Sequence, residues 1–257
     1  MIRRSILLRG LLAASVLAAA GNAARADQLD DVRAARKLRV AIDLGSPPFG
    51  MNDAAMNATG SDVETARLLA RDLGVELEIV QTTGANRIPF LQTGKADLVI
   101  SSLSVTPERE KVIDFSTPYA QIQSVVAAPK AVQIRGFADL AGKRVATARG
   151  TTNDRLATEG VKDAKGAEIV RFDDDATLVT ALASGQVDIV ATSPTLLKAV
   201  AAKAPNLGLE TKFVMQSFPL GVGMRKGEAA MRAWVNQWVA RNTENGKLAA
   251  IYRRFHD

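Results

Sequence analysis

The sequence predicts an α/β protein of two lobes, each a mixed sheet flanked by helices. Three observations predict it. Strand-like apolar runs alternate with helical periodicities from Lys37 to Tyr119, which places helices on both faces of a parallel or mixed sheet. After Tyr119 the alternation starts again, so the chain crosses to a second lobe. Late strand-like runs at residues 209–214 and 220–224 lead back, and two strands crossing between lobes form a hinge. With 257 residues the chain has the length for one large or two modest domains, and at 47% hydrophobic it has ample apolar side chains for a core.

Lys37–Ile42 reads as the first strand, with Leu38, Val40 and Ile42 alternating. It ends in Asp43-Leu44-Gly45-Ser46-Pro47-Pro48-Phe49, a loop fixed by two prolines. Gly60-Ser61-Asp62-Val63 opens a helix. Val63, Ala66, Leu69, Ala70 and Leu73 form its apolar face, and Gly74 ends it. Residues 76–80 alternate as a strand, and residues 86–91 form the next helix, ended by Gly94.

The chain is organised around residues 96–119. A buried strand at residues 98–100 is followed by Ser101, Ser102 and Ser104. Thr106 then caps a helix start, Pro107 suits its first position, and Glu108 favours its positive end. Hydroxyls at the carboxyl end of a strand, with Arg109 just beyond, make a place to hold an anion. A guanidinium grips a planar carboxylate with two parallel hydrogen bonds. The same residues also suit a plain surface helix whose Arg109 pairs with Glu108 or Asp114.

In the second half, residues 122–128 read as the crossing strand and residues 137–143 as a short helix and turn. A strand at residues 144–147 leads into Gly150-Thr151-Thr152-Asn153. Free N–H groups and two hydroxyls meet there at a helix start, which serves either capping or an anion. Glu168–Phe172 is a strand. Asp173-Asp174-Asp175 lacks the spacing of a calcium loop and reads as acids at the positive end of the helix 176–184. Ser193, before Pro194, reads as an N-cap. Met231, Trp234, Val235, Trp238 and Val239 form a core-facing helical stripe, and a shorter helix at residues 246–255 closes the chain.

Composition excludes several chemistries. Cysteine is absent, so no disulfide, thiol nucleophile or thiolate metal site exists. The one histidine, His256, reads as a solvated terminal side chain, and no metal or cofactor is expected. Residues 1–26 read as a cleaved signal peptide: Arg3, Arg4 and Arg9, then apolar residues 11–20, then Ala24-Arg25-Ala26. Their removal takes four arginines and lowers the formal charge from +6 to +2. The chain shows no basic stripe interleaved with aromatics, so nucleic acid is not an expected partner.

Ser102-Leu103-Ser104-Val105-Thr106-Pro107-Glu108-Arg109 and Asp114-Phe115-Ser116-Thr117-Pro118-Tyr119 resemble the S-x-S-x-T-x-x-R and D-F-S-x-P-Y motifs of periplasmic solute-binding proteins of ABC importers, polar amino-acid branch. Further likeness runs through the N-R-I-P segment and Gly185-Gln186-Val187-Asp188 to the chain's end. The resemblance implies a type II periplasmic binding protein fold with ligand in the interlobe cleft. Its lobes are residues 27–121 plus 219–257, and 122–218. It implies an amino acid or related small carboxylate as ligand, an ABC permease as partner, a periplasmic monomer and no catalysis. Implied ligand contacts are Asp43, Ser102, Ser104, Arg109, Thr151, Thr152 and Ser193. The sequence departs from the pattern twice. Ser46 replaces a loop aromatic, and Ser193 replaces the aspartate that holds the ligand's ammonium group. Those departures leave Asp43 as the first candidate for that role, or a ligand without a free α-amino group. The alternatives on this scaffold are a dehydratase-like enzyme and a sensing component of a receptor.

Overall fold

The computed structural model describes residues 27–256. The signal-peptide reading of residues 1–26 lies outside them.

The chain builds two five-stranded mixed sheets. In the first, β1 (Lys37–Ile42) lies between β4 (Glu76–Gln81) and β5 (Leu98–Val99), all parallel. β12 (Gly223–Arg225) then runs antiparallel between β5 and β6 (Ile113–Phe115). β2 (Met51–Asn52) and β3 (Ala58–Thr59) form a small separate hairpin. In the second sheet β8 (Arg144–Ala148) lies parallel between β9 (Glu168–Phe172) and β10 (Val190–Thr192). β7 (Ala120–Pro129) and β11 (Leu209–Leu220) complete it, antiparallel to their neighbours.

Strand alternation fills both faces of each sheet. Leu38, Val40 and Ile42 of β1 enter one core with α2 (Ser61–Leu73) and α8 (Ala229–Glu244). Ala41 turns to the opposite core, with Leu91 of α3 (Arg87–Gln92). In the second sheet Ala146 and Ala148 face α6 (Asp175–Ala183) and α7 (Pro194–Lys203). Val145 faces Ala157 of α5 (Thr152–Gly160). The tryptophan stripe does go to the core. Trp238 is fully buried and donates from Nε1 to Asp72 Oδ2 at 2.8 Å.

The link between sheets is a pair of antiparallel strands, β7 and β11, which stay paired through two register shifts to Ala120 opposite Leu220. There the backbone of residues 219–222 also bonds to the first sheet's loops: Val105 N to Pro219 O at 2.9 Å, and Ser116 N to Val222 O at 2.9 Å. The expected second crossing strand is thus the end of β11, not residues 220–224. Gly221 and Val222 sit between it and β12.

His256 is not solvated. α9 (Lys247–His256) packs on α2 and carries the ring onto the start of that helix. Its Nε2 lies 2.9 Å from Ser61 Oγ, Tyr252 stacks on it at 3.8 Å, and Phe49 meets it edge-on at 4.7 Å. Burial of an apolar helix face draws the penultimate residue inward, which a reading of chain position alone misses.

Candidate functional site: the interlobe cleft

The carboxyl ends of β1 and β5 face the carboxyl ends of β8 and β10 across a cleft. It encloses a cavity of about 40 Å³, room for roughly three waters. Six of the seven expected contacts line this cavity: Asp43, Ser102, Ser104, Thr151, Thr152 and Ser193. Arg109 does not. It lines an open groove next to the cavity, sharing Thr151 and Thr152 with it.

Each residue is held by local chemistry. Ser102 sits with φ +42°, a left-handed backbone uncommon outside glycine. Its N–H donates to the buried Asp62 at 2.7 Å, and this bond compensates the backbone cost. Thr106 caps α4 (Pro107–Glu110) by accepting from Arg109 N at 3.3 Å. Thr151 caps α5, accepting from Asp154 N at 3.1 Å and donating to Ala148 O at 2.8 Å. Its hydroxyl is therefore committed. Thr152 Oγ1 is the one that faces across, 3.4 Å from Ser104 Oγ. Ser193 both caps α7, accepting from Leu196 N at 3.3 Å, and lines the cavity.

Arg109 bridges the lobes through carbonyls, with Nη1 on Ser104 O at 2.9 Å and Nη2 on Gly150 O at 3.5 Å. Asp114 takes Lys226 and Arg232 instead, so the surface pairing with Asp114 does not form. Burial, with Arg87 and Arg155 nearby, pushes the Arg109 guanidinium down to about 9. It stays charged at neutral pH.

Three charged residues of the cavity, Arg87, Asp175 and the helix cap Asp174, escaped the sequence reading as ligand contacts. Arg87 opens α3 and is buried, donating to Gly84 O at 3.1 Å and Ser101 O at 2.7 Å. Among the described residues neither Arg87 nor Arg109 forms an ion pair within 4 Å. Arg87 is lowered by burial, an effect that Asp43, Asp175 and Asp62 oppose. Asp175 is the second. Of the three consecutive acids, Asp174 caps α6 in a capping box, as a helix-start role demands. Asp175 instead turns into the cleft and accepts from Ser46 Oγ of the other lobe at 2.6 Å. Burial pushes Asp175 up to about 6 and raises Asp43 as well. A signal for Asp175 existed. One acid suffices for a cap, and three in a row leave others to be placed.

Two sheet-and-helix lobes joined by a crossing strand pair, with a polar cleft at their strand ends, define a two-lobed ligand-binding protein. The chain belongs to the bacterial extracellular solute-binding proteins, family 3, whose family model matches residues 38–257. It is 27% identical to the ABC transporter glutamine-binding protein of Bacillus subtilis, covering 98% of this chain and 96% of that one. Against the ABC transporter arginine-binding protein 1 of Escherichia coli K12 the identity is 30%, over 85% of this chain and 90% of that one. Among solved structures, a mutant arginine-binding protein of T. maritima superposes with a TM-score of 0.82. It is 32% identical, covering 89% of this chain and 98% of that one. An ancestral amino acid-binding protein, described as a precursor of cyclohexadienyl dehydratase, gives a TM-score of 0.79. It is 34% identical, covering 90% of this chain and all of that one.

Proposed function

We propose that the protein is the periplasmic binding component of an ABC importer and closes its two lobes on an α-amino acid. The observation that carries this reading is the charge of the cavity. Arg87 and Asp43 of one lobe, with Asp175 of the other, bring both signs of charge to the cavity and so complement a zwitterion, which has one group of each sign. Ser102, Ser104 and Thr152 supply hydroxyls, and the first turn of α5 supplies N–H groups with no partner inside the helix. Arg109 stands beside them to take a carboxylate. The names of the relatives, which bind glutamine and arginine, support an amino-acid ligand.

The lobes in this reading are residues 27–121 with 219–257, and residues 122–218. Their hinge lies where β7 and β11 leave the first sheet. A ligand touching both lobes favours the closed state by its differential affinity. The protein acts as a monomer and delivers its ligand to a membrane permease.

The test is thermal-shift screening against the twenty L-amino acids, followed by calorimetry on those that stabilise the protein, since a bound ligand raises stability by mass action. Stabilisation by none overturns the reading. One observation favours a second reading, a dehydratase: the likeness to the precursor of cyclohexadienyl dehydratase. Recovery of the ligand unchanged after prolonged incubation separates binding from turnover.

A further inference from the structure

We propose that Asp175, aided by Asp43, holds a cationic nitrogen of the ligand and so determines specificity, and that Ser46 occupies this subsite in the ligand's place. The inference rests on the amino-acid reading above and names the residue that recognises the positive end.

The first support is position. Asp175 and Asp43 reach one cavity from opposite lobes, so a group bound between them touches both and favours closure. The second is the partner. The hydrogen bond from Ser46 to Asp175 crosses the cleft, and a neutral hydroxyl does not neutralise a carboxylate. The third is charge. Asp43, Asp174 and Asp175 line the cavity against one arginine, Arg87, leaving the wall negative. The raised proton affinity of Asp43 and Asp175 has burial as its largest cause, and a bound cation offsets that cost.

Ser193 completes the argument. It lines the same cavity but offers only a hydroxyl that already caps α7. A ligand ammonium there would lack an anion, and an uncompensated buried ammonium is costly. Asp175 supplies the missing charge from the neighbouring helix start, so a ligand with a free amino group remains compatible with Ser193.

The cationic nitrogen is either the α-ammonium or a basic side chain, and one experiment tells them apart. The twenty L-amino acids and their deamino counterparts are titrated calorimetrically into wild-type protein, Asp175→Asn and Ser46→Ala. Asp175→Asn is expected to weaken amino-acid binding at least about thirtyfold, the scale for a buried charge losing its partner. Ser46→Ala is expected to bind as wild type or more tightly, because it frees the carboxylate. Loss for amino acids of every kind, with deamino counterparts unaffected, assigns the α-ammonium. Loss confined to arginine, lysine and their deamino counterparts assigns the side chain. Wild-type affinity in Asp175→Asn overturns the inference while leaving the amino-acid reading intact. Equal losses in Asp175→Asn and Ser46→Ala also overturn it, since they mark a plain latch between lobes. Wild-type protein that binds no amino acid overturns both. Asp175→Ser repeats the measurement should the asparagine disturb α6, whose cap Asp174 is untouched in either variant.

Discussion

Gly150 of the second lobe meets Ala85 of the first so closely that a Cβ on Gly150 would stand 2.7 Å from the Ala85 Cα. Gly150 also has φ +72°, where a side chain is strained. The clash is with backbone, so no side-chain rotation relieves it. Gly150→Ala is therefore expected to hinder closure. Ligand affinity should fall at least about tenfold, beyond the roughly 1–2 kcal/mol of stability that the left-handed backbone costs. Small-angle scattering with and without ligand checks it: the variant should lose ligand-induced compaction. A variant that compacts and binds as wild type would show that the lobes close without this contact.

Arg109→Ala should weaken binding by at least about 2 kcal/mol, the scale for a charge-assisted bond lost from a desolvated site. The fold should survive, because among the described residues the guanidinium donates its hydrogen bonds to the carbonyls of Ser104 and Gly150 at the lobe junction. Calorimetry reads the affinity, and a melting curve guards the second claim. Near wild-type affinity would remove Arg109 from the site and leave Arg87 as the cation.

Ser193→Asp is expected to restore part of the affinity that Asp175→Asn loses. Aspartate is as good an N-cap as serine, so α7 keeps its start while the cavity regains a carboxylate. Failure of the double variant to recover any affinity would mean that residue 193 does not reach the ligand.

Burial pushes Asp62 up to about 7. Its folded pKa thus lies above the unfolded one, and the folded state holds the proton more tightly. The contribution is most favourable at low pH and declines as pH rises from about 4 to about 7. Asp175, raised to about 6, acts in the same direction. The ligand-free protein should therefore lose melting temperature across this window, and Asp62→Asn should flatten the slope. A wild-type melting temperature that climbs steadily from pH 5 to 7.5 would contradict it.

Trp238→Phe removes the bond to Asp72, which also accepts from Asn242 at 3.3 Å. Loss of a hydrogen bond to a charged group costs about 1.5–3 kcal/mol. For a chain of this size that lowers the melting temperature by several degrees, with ligand affinity unchanged. A drop in affinity alone would place the residue in binding rather than in the core.

Much of the fold is legible in the sequence. Lys37–Ile42 and Glu168–Phe172 were readable to the residue, the first because Leu38, Val40 and Ile42 alternate, the second as a short apolar-rich run. Thr106 and Ser193 were readable as caps, because a hydroxyl before a proline-led helix has a local job. Arg87 and Asp175 were not readable as cleft residues. Each sits at a helix start, where local chemistry already accounts for a polar side chain, and its further partner comes from another segment, Ser101 of the same lobe for Arg87 and Ser46 across the cleft for Asp175. Ser46 and Asp175, in contact at 2.6 Å, are 129 positions apart.

The sequence by itself determined the alternation of strands and helices, the caps and the hydroxyl-rich loops. All of these follow from interactions within about ten residues. Only the tertiary structure decided that His256 is buried, that Arg87 enters the cavity while Arg109 stands beside it, and that Asp175 faces Asp43. The first outcome depends on how α9 packs on α2 within one lobe, and the placement of Asp175 against Asp43 depends on how the two lobes meet, where burial then shifts their charges.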